Sequence, residues 1–93
     1  MPLYTFIMDF QGGTYVAQIR ASSPRSACVK WAENLETNEI HGLGEKGKSV
    51  LIEEMKGESP IAIDGITNTW FASASIRGKS AYINLVLTEQ LDE

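Results

Sequence analysis

Apolar and polar positions alternate along both ends of the chain. Residues 3–10 read LYTFIMDF and residues 14–21 read TYVAQIRA, with Gly12 and Gly13 between them. Because side chains alternate between the two faces of a strand, these segments predict an antiparallel hairpin over about residues 3–21 with one apolar face. Glycine supplies the positive φ angles of a two-residue hairpin loop. With a Gly12-Gly13 turn the predicted apolar pairs are Phe10–Tyr15, Met8–Ala17, Phe6–Ile19 and Tyr4–Ala21.

A second hairpin is predicted at about residues 68–88. The segments TWFASASIR (69–77) and SAYINLVLT (80–88) flank Gly78-Lys79, a dipeptide suited to a type II′ turn. With this turn the predicted apolar pairs are Ile76–Ala81, Ala74–Ile83, Ala72–Leu85 and Trp70–Leu87. The two hairpins together predict a four-stranded antiparallel sheet.

A long helix over about residues 24–35 is predicted between the hairpins. Ser23 is a favoured N-cap residue, and Pro24 suits the first helical position. Apolar residues then recur at helical spacing on one face, at Ala27, Cys28, Trp31, Ala32 and Leu35. We expect this face to cover the apolar side of the sheet, with Trp31 as its main anchor.

The segment after this helix is less regular. Residues 36–49 are polar and rich in glycine, as in a connection, and the spacing of Val50, Leu51 and Met55 predicts a second short helix over about 45–56. A strand over residues 48–52 is an alternative, and residues 61–63 could form a brief extended piece. The whole chain, residues 1–93, is therefore predicted to be one α+β domain in ββααββ order.

Composition narrows the classes of function. The chain has 93 residues and a net charge of −4, and its basic residues do not form a stripe, which argues against nucleic-acid binding. Cys28 is the single cysteine, so an internal disulfide is impossible, and a free thiol suits the reducing cytoplasm. The N-terminus does not resemble a signal peptide, and no apolar run reaches roughly 18 residues, so we expect neither secretion nor a membrane span.

The segment GLGEKGKS matches the phosphate-loop pattern G-x-x-x-x-G-K-[ST]. That loop needs a buried parallel strand before it and a helix after it. The residues before Gly42 supply few large aliphatic side chains, and the predicted sheet is antiparallel, so a nucleotide-hydrolysing enzyme is disfavoured. A simpler anion site and a plain connecting loop both stay open. The candidate anion-binding residues are Gly42, Gly44, Gly47, Lys48 and Ser49.

Other residues that could carry chemistry do not form a convincing set. Cys28 lies on the apolar face of the predicted helix, where a buried thiol is the commoner outcome, and His41 lies in the following connection. A third group that would orient such a pair is not recognisable. Trp31 and Trp70 fall on the inward faces and are interpreted as core residues. We therefore predict no catalytic residue, no metal site and no cofactor.

The second face of the predicted sheet carries unusually large apolar side chains. They share this face with polar groups, and they are Ile7, Val16, Phe71, Tyr82 and Val86. Contiguous apolar groups on a surface are typical of protein interfaces. Cover by the second helix and scattered exposure are the alternatives. The resulting hypothesis is a non-catalytic module that acts through protein association, with a symmetric homodimer as its first form.

Residues 4–36 resemble the strand–strand–helix opening of HicB-like antitoxin domains. The shared features are Tyr4 in the first strand, Gly13 before Tyr15-Val16-Ala17, and a helix that begins at Ser-Pro and contains Ala27. The resemblance implies a small α+β domain that oligomerises and restrains a toxin ribonuclease, often beside a DNA-binding segment. The chain lacks the Pro-Gly-Cys-like stretch and the extra strand that this family places before its helix. No functional residue is carried over from the family.

Overall fold

A computed structural model describes residues 1–90. Over this range the chain forms five strands, two α-helices and one short 3-10 helix. In chain order these are β1 (Leu3–Phe10), β2 (Gly13–Arg20), α1 (Pro24–Glu33), the 3-10 helix (Thr37–Glu39), α2 (Gly44–Gly57), β3 (Ile61–Ala62), β4 (Thr69–Ile76) and β5 (Lys79–Glu89). The strands form one antiparallel sheet in the order β2-β1-β5-β4-β3. The predicted α+β class is confirmed.

The predicted strand number is wrong, because the sheet has five strands and not four. The additional strand is β3, in which Ile61 pairs with Phe71 and Ala62 with Trp70. Two residues are too few to show an alternating pattern, and Pro60 and Gly65 bound the segment closely. Residues 61 and 62 become a strand because the edge of β4 offers backbone partners, which the local sequence does not reveal.

Both predicted hairpin registers are wrong by two residues. The turns are Gln11-Gly12 and Arg77-Gly78, and all four residues have positive φ, at 53° and 79° in the first turn and 53° and 85° in the second. Such angles define a type I′ turn with its glycine in the second position, and both turns lie one residue earlier in the chain than the predicted Gly12-Gly13 and Gly78-Lys79. Met8 therefore faces Tyr15, and Ala74 faces Ala81. A shift of two residues keeps every side chain on its predicted face.

The helical predictions are confirmed with small changes at their ends. Ser23 caps α1, and its hydroxyl accepts a hydrogen bond from the backbone N–H of Ser26 at 3.1 Å. The Ser26 hydroxyl in turn accepts from the backbone N–H of Ser23 at 3.2 Å, which completes a capping box. Helix α1 ends at Glu33, two residues before the predicted end, but Leu35 is still buried. The segment predicted at 45–56 is a helix over Gly44–Gly57, not a strand.

Both helices pack on the same face of the sheet. Trp31 of α1 stacks on Phe6 with 5.0 Å between the ring centroids, and Leu51 and Met55 of α2 are fully buried in the same core. Tyr4 meets the edge of the Trp70 ring at 6.0 Å. The domain thus has two layers, and no element within residues 1–90 covers the second face of the sheet. Over that same range, neither helix is long and apolar enough to cross a membrane.

Candidate functional site

The sheet face opposite the helices, called the open face below, presents apolar side chains to solvent. One row of neighbouring residues crosses all five strands, in the order Val16, Ile7, Asn84, Phe71 and Ile61. Val16 is 65% exposed and Ile61 is 69% exposed. The centre of the open face is therefore an uncharged and mainly apolar strip.

Phe71 of this strip forms an aromatic pair with Tyr82. The rings of Phe71 and Tyr82 stack with 6.4 Å between their centroids, and Tyr82 is 52% exposed. Val86 is half-buried on the same strand as Tyr82. Stacking fixes two large side chains in one orientation before any partner arrives, which lowers the entropy that they would lose on binding.

Polar groups of the open face bind one another around the apolar strip. The Thr14 hydroxyl donates to the Asp9 carboxylate at 2.7 Å, and the Gln18 amide donates to the Thr5 hydroxyl at 3.0 Å. The Thr5 hydroxyl also contacts that of Thr88. At the corner of the sheet, the Arg20 guanidinium donates to the Glu89 carboxylate at 2.6 Å. These bonds pair the polar groups of β1 and β2 on the open face with one another or with the end of β5.

The structure rules out the second helix as a cover for this face. Helix α2 lies on the opposite side, where Gly47, Leu51 and Met55 are its buried residues. The five residues predicted to form an interface all lie on the open face: Val16 and Tyr82 are exposed, and Ile7, Phe71 and Val86 are half-buried. Their role in association stays a prediction.

A groove runs beside the outer edge of β2. It has a volume of about 330 Å³ and lies between β2 and the segment that follows α1. Its walls include Tyr15, Val16, Trp31, Leu35, Glu36 and Glu39. The Tyr15 hydroxyl accepts a hydrogen bond from the backbone N–H of His41 at 3.2 Å, so the floor of the groove is held to the connecting segment.

The glycine-rich segment forms the start of α2 rather than a loop around an anion. Gly42 lies in the turn before the helix and Gly44 is its first residue, whereas Gly47, Lys48 and Ser49 lie inside it. No parallel strand comes before this segment in the described part of the chain, where residues 37–43 form the 3-10 helix and turns. The structural setting of a phosphate loop is therefore not present there.

Two residues of the motif have packing or capping contacts of their own. Gly47 is buried, and a Cβ atom at this position would lie 3.1 Å from Leu43 Cδ1 and 3.3 Å from Ile76 Cγ2. The Lys48 ammonium donates to the backbone carbonyl of Leu35 at 2.9 Å, just after the end of α1. These contacts give a structural reason for glycine at position 47 and lysine at position 48. Anion binding by residues 42–49 stays a prediction.

The Lys48→Ala substitution is expected to lower the free energy of unfolding by about 1 kcal/mol, because the Leu35 carbonyl loses its donor. Lys46 is exposed in the same helical turn, so Lys46→Ala is the matched control and should change stability by less than about 0.5 kcal/mol. Urea unfolding followed by circular dichroism would measure both. Equal stability of the two variants would contradict a structural role for Lys48.

Cys28 and His41 lie in different environments. Cys28 is 1% exposed within the core, and burial raises the pKa of its thiol to about 12. The His41 side chain is exposed. The predicted burial of the thiol is confirmed. Within residues 1–90, no three His, Cys, Asp or Glu side chains gather into a group that could hold a metal ion.

Comparison with known proteins adds no functional assignment. No protein-family model, no curated protein and no solved structure matches this chain. The open face and the edge of β2 are therefore interpreted from their own geometry and chemistry. The resemblance of residues 4–36 to HicB-like domains stays a prediction.

Proposed function

We propose that this chain is a small non-catalytic module that acts through protein association, and that its open face binds a second copy of the chain. The observation that carries the proposal is the placement of both helices on one face, which leaves the apolar strip and the stacked pair of Phe71 and Tyr82 without a covering element. Tyrosine is one of the residue types enriched among the few residues that carry most of the binding free energy at protein interfaces.

The charge distribution of the open face permits a second copy as the partner. The chain carries a net charge of −4, so two copies repel each other at long range. The charged residues of the open face, Asp9, Arg20 and Glu89, lie outside the central strip, and Arg20 and Glu89 neutralise each other. Contact through the uncharged strip therefore buries apolar area without bringing like charges together.

The Tyr82→Lys substitution is expected to weaken self-association at least tenfold, or about 1.4 kcal/mol. It replaces a stacked aromatic ring with a charge that contact between copies would have to desolvate. Thr67→Lys is the matched control, because it adds the same charge in an exposed loop. Sedimentation velocity over micromolar concentrations would measure both variants against the parent. A parent chain that stays monomeric at high micromolar concentration would contradict the proposal.

Two alternatives have their own tests. For a phosphate- or nucleotide-responsive domain that uses residues 42–49, amide NMR titration with Mg-ATP and with phosphate should give saturable shifts in this segment, and Lys48→Ala should abolish them. For a HicB-like regulator, the partner would be a toxin ribonuclease rather than a second copy, and the chain would inhibit that enzyme.

We propose the reducing cytoplasm as the compartment of this chain, because free thiols such as that of Cys28 persist there.

A further inference from the structure

We infer that β2 pairs with β2 of a second copy in antiparallel fashion, about a two-fold axis at Val16, and joins the two sheets into one. The inference rests on the proposed self-association and adds a second, separate contact to it. The shared edge uses backbone groups of β2, whereas the open face uses side chains of all the strands.

The outer edge of β2 presents unpaired backbone groups. In an antiparallel ladder, alternate residues direct both N–H and C=O towards the same neighbour. Ala21 donates its N–H to the Pro2 carbonyl, on the side of β1. The odd-numbered residues of β2 therefore direct their backbone groups to β1, and the even-numbered residues direct theirs to the outer edge. No hydrogen bond within residues 1–90 joins the outward backbone groups of Thr14, Val16 and Gln18 to another part of the chain. A second strand can therefore extend the sheet here.

The opposite edge of the sheet is protected against such pairing. Strand β3 covers part of β4 with only two residues, and Pro60 precedes it. Farther along β4, the Glu54 carboxylate accepts a hydrogen bond from the Ser75 N–H at 3.2 Å. Short edge strands, proline and charged groups are the usual means by which proteins prevent edge-to-edge contact. Residues 14–18 of β2 contain neither proline nor a charged residue.

The contacts of Lys30 select the register. The Lys30 ammonium donates to the outward carbonyl of Arg20 at 2.8 Å, which closes that end of the edge and leaves residues 14–18 free. The symmetric register over this range places Val16 opposite Val16 of the second copy, and Thr14 opposite its Gln18. It forms about six backbone hydrogen bonds between the copies. It also shields Val16, which is 65% exposed in the single chain.

Charge along the edge favours the antiparallel direction. One end carries Lys30, together with Arg20, whose charge is offset by Glu89. The Asp9 carboxylate is bound to Thr14 at the other end, and Glu36 and Glu39 line the groove beside residues 14–17. Antiparallel pairing places the basic end of each copy beside the acidic end of the other, whereas parallel pairing would place like charges together.

The two contacts are compatible with each other. Directly opposite residues of paired strands point to the same face of a sheet, so both open faces lie on one side of the joined sheet. On the helix side, Tyr15 of one copy faces Ala17 of the other, beside the groove of about 330 Å³. Edge pairing therefore extends the open face instead of covering it.

Single cysteines placed on the edge test this register. The two copies of residue 16 would form a hydrogen-bonded pair with Cα atoms about 5.5 Å apart, within the range of a disulfide. Val16→Cys should therefore give a covalent dimer under mild oxidation with oxidised glutathione. Gln18→Cys is the matched control: residue 18 and its symmetry mate lie roughly 13 Å or more apart, so it should stay monomeric on non-reducing gels. Cys28 is buried, so we expect it not to react in the folded chain.

The outcomes separate this inference from the proposed function. Rapid cross-linking of the residue 16 variant, with little cross-linking of the residue 18 variant, would support edge pairing. A second outcome is equal and slow cross-linking of both cysteine variants, while the parent chain sediments as an oligomer and Tyr82→Lys weakens that oligomer. This outcome would overturn edge pairing and leave association through the open face. A monomeric parent with neither variant cross-linked would overturn both. Circular dichroism of the reduced variants would verify their fold.

Discussion

The Trp31→Ala substitution is expected to lower the free energy of unfolding by about 3–5 kcal/mol. Trp31 is 2% exposed and its ring stacks almost parallel on Phe6, with an interplanar angle of 6°. It is among the largest fully buried side chains of the core, and its neighbours belong to both layers of the domain. Truncation would leave a cavity between helix and sheet that these neighbours can fill only in part.

The loss is large compared with the total stability of a domain of this size, which is commonly about 5–15 kcal/mol. Urea unfolding followed by far-ultraviolet circular dichroism would measure it. Trp31→Phe is the control, because it keeps an aromatic ring against Phe6 and should cost clearly less than the alanine variant. An alanine variant that loses less than about 1 kcal/mol would show that Trp31 does not anchor α1 to the sheet.

A second large effect is expected at alkaline pH. Burial raises the pKa of the Cys28 thiol from its ordinary value of 9.0 to about 12. Above about pH 9 the unfolded chain loses this proton, whereas the folded chain keeps it, so the unfolded state holds fewer protons and stability falls as pH rises. The contribution is fully present below pH 9. The loss sets in gradually around pH 9 and then approaches about 1.4 kcal/mol per pH unit, so it amounts to about 2 kcal/mol between pH 9 and 11.

A Cys28→Ala variant isolates this contribution. Burial also raises the pKa of Tyr4, but this residue is present in both proteins. The difference in the free energy of unfolding between parent and variant should therefore shrink by about 2 kcal/mol as the pH rises from 9 to 11. A constant difference would show that the thiol ionises equally in the folded and unfolded chains. Chemical unfolding under argon with a reductant would exclude oxidation.

Short-range patterns determined most of the elements. Ser23 and Pro24 marked the start of α1, and apolar spacing identified its buried face because packing requires one face of a helix to be apolar. Alternation identified the inward faces of β1, β2, β4 and β5. The exact pairing failed in both hairpins, since Gln11-Gly12 and Arg77-Gly78 use non-glycine residues at positive φ, which composition alone does not indicate.

For the candidate site, too, local patterns predicted one part and tertiary packing decided the other. The five predicted interface residues share one face because alternation is a local property of strands. Whether that face is covered depends on where α2 packs, and periodicity does not specify the layer. Residues 42–49 match a phosphate loop as a local pattern, but their contacts are with distant parts of the chain. Lys48 bonds to the Leu35 carbonyl, thirteen residues earlier, and Gly47 packs against Ile76.

The sequence by itself determined the α+β class, helix α1, the inward and outward faces of four strands, and the burial of Cys28 and Trp31. For residues 45–56 it favoured a helix but left a strand over residues 48–52 open. The determined features follow from rules that act over a few residues, where side-chain direction and backbone preference are set by neighbours in the chain. Tertiary structure alone decided the fifth strand, the single layer of helices, the exposed open face and the asymmetry between the two edges. Each of these depends on contacts between segments far apart in the chain, such as Glu54 with Ser75 and Lys30 with Arg20. Distant partners satisfy backbone groups and bury surfaces in ways that local patterns do not encode.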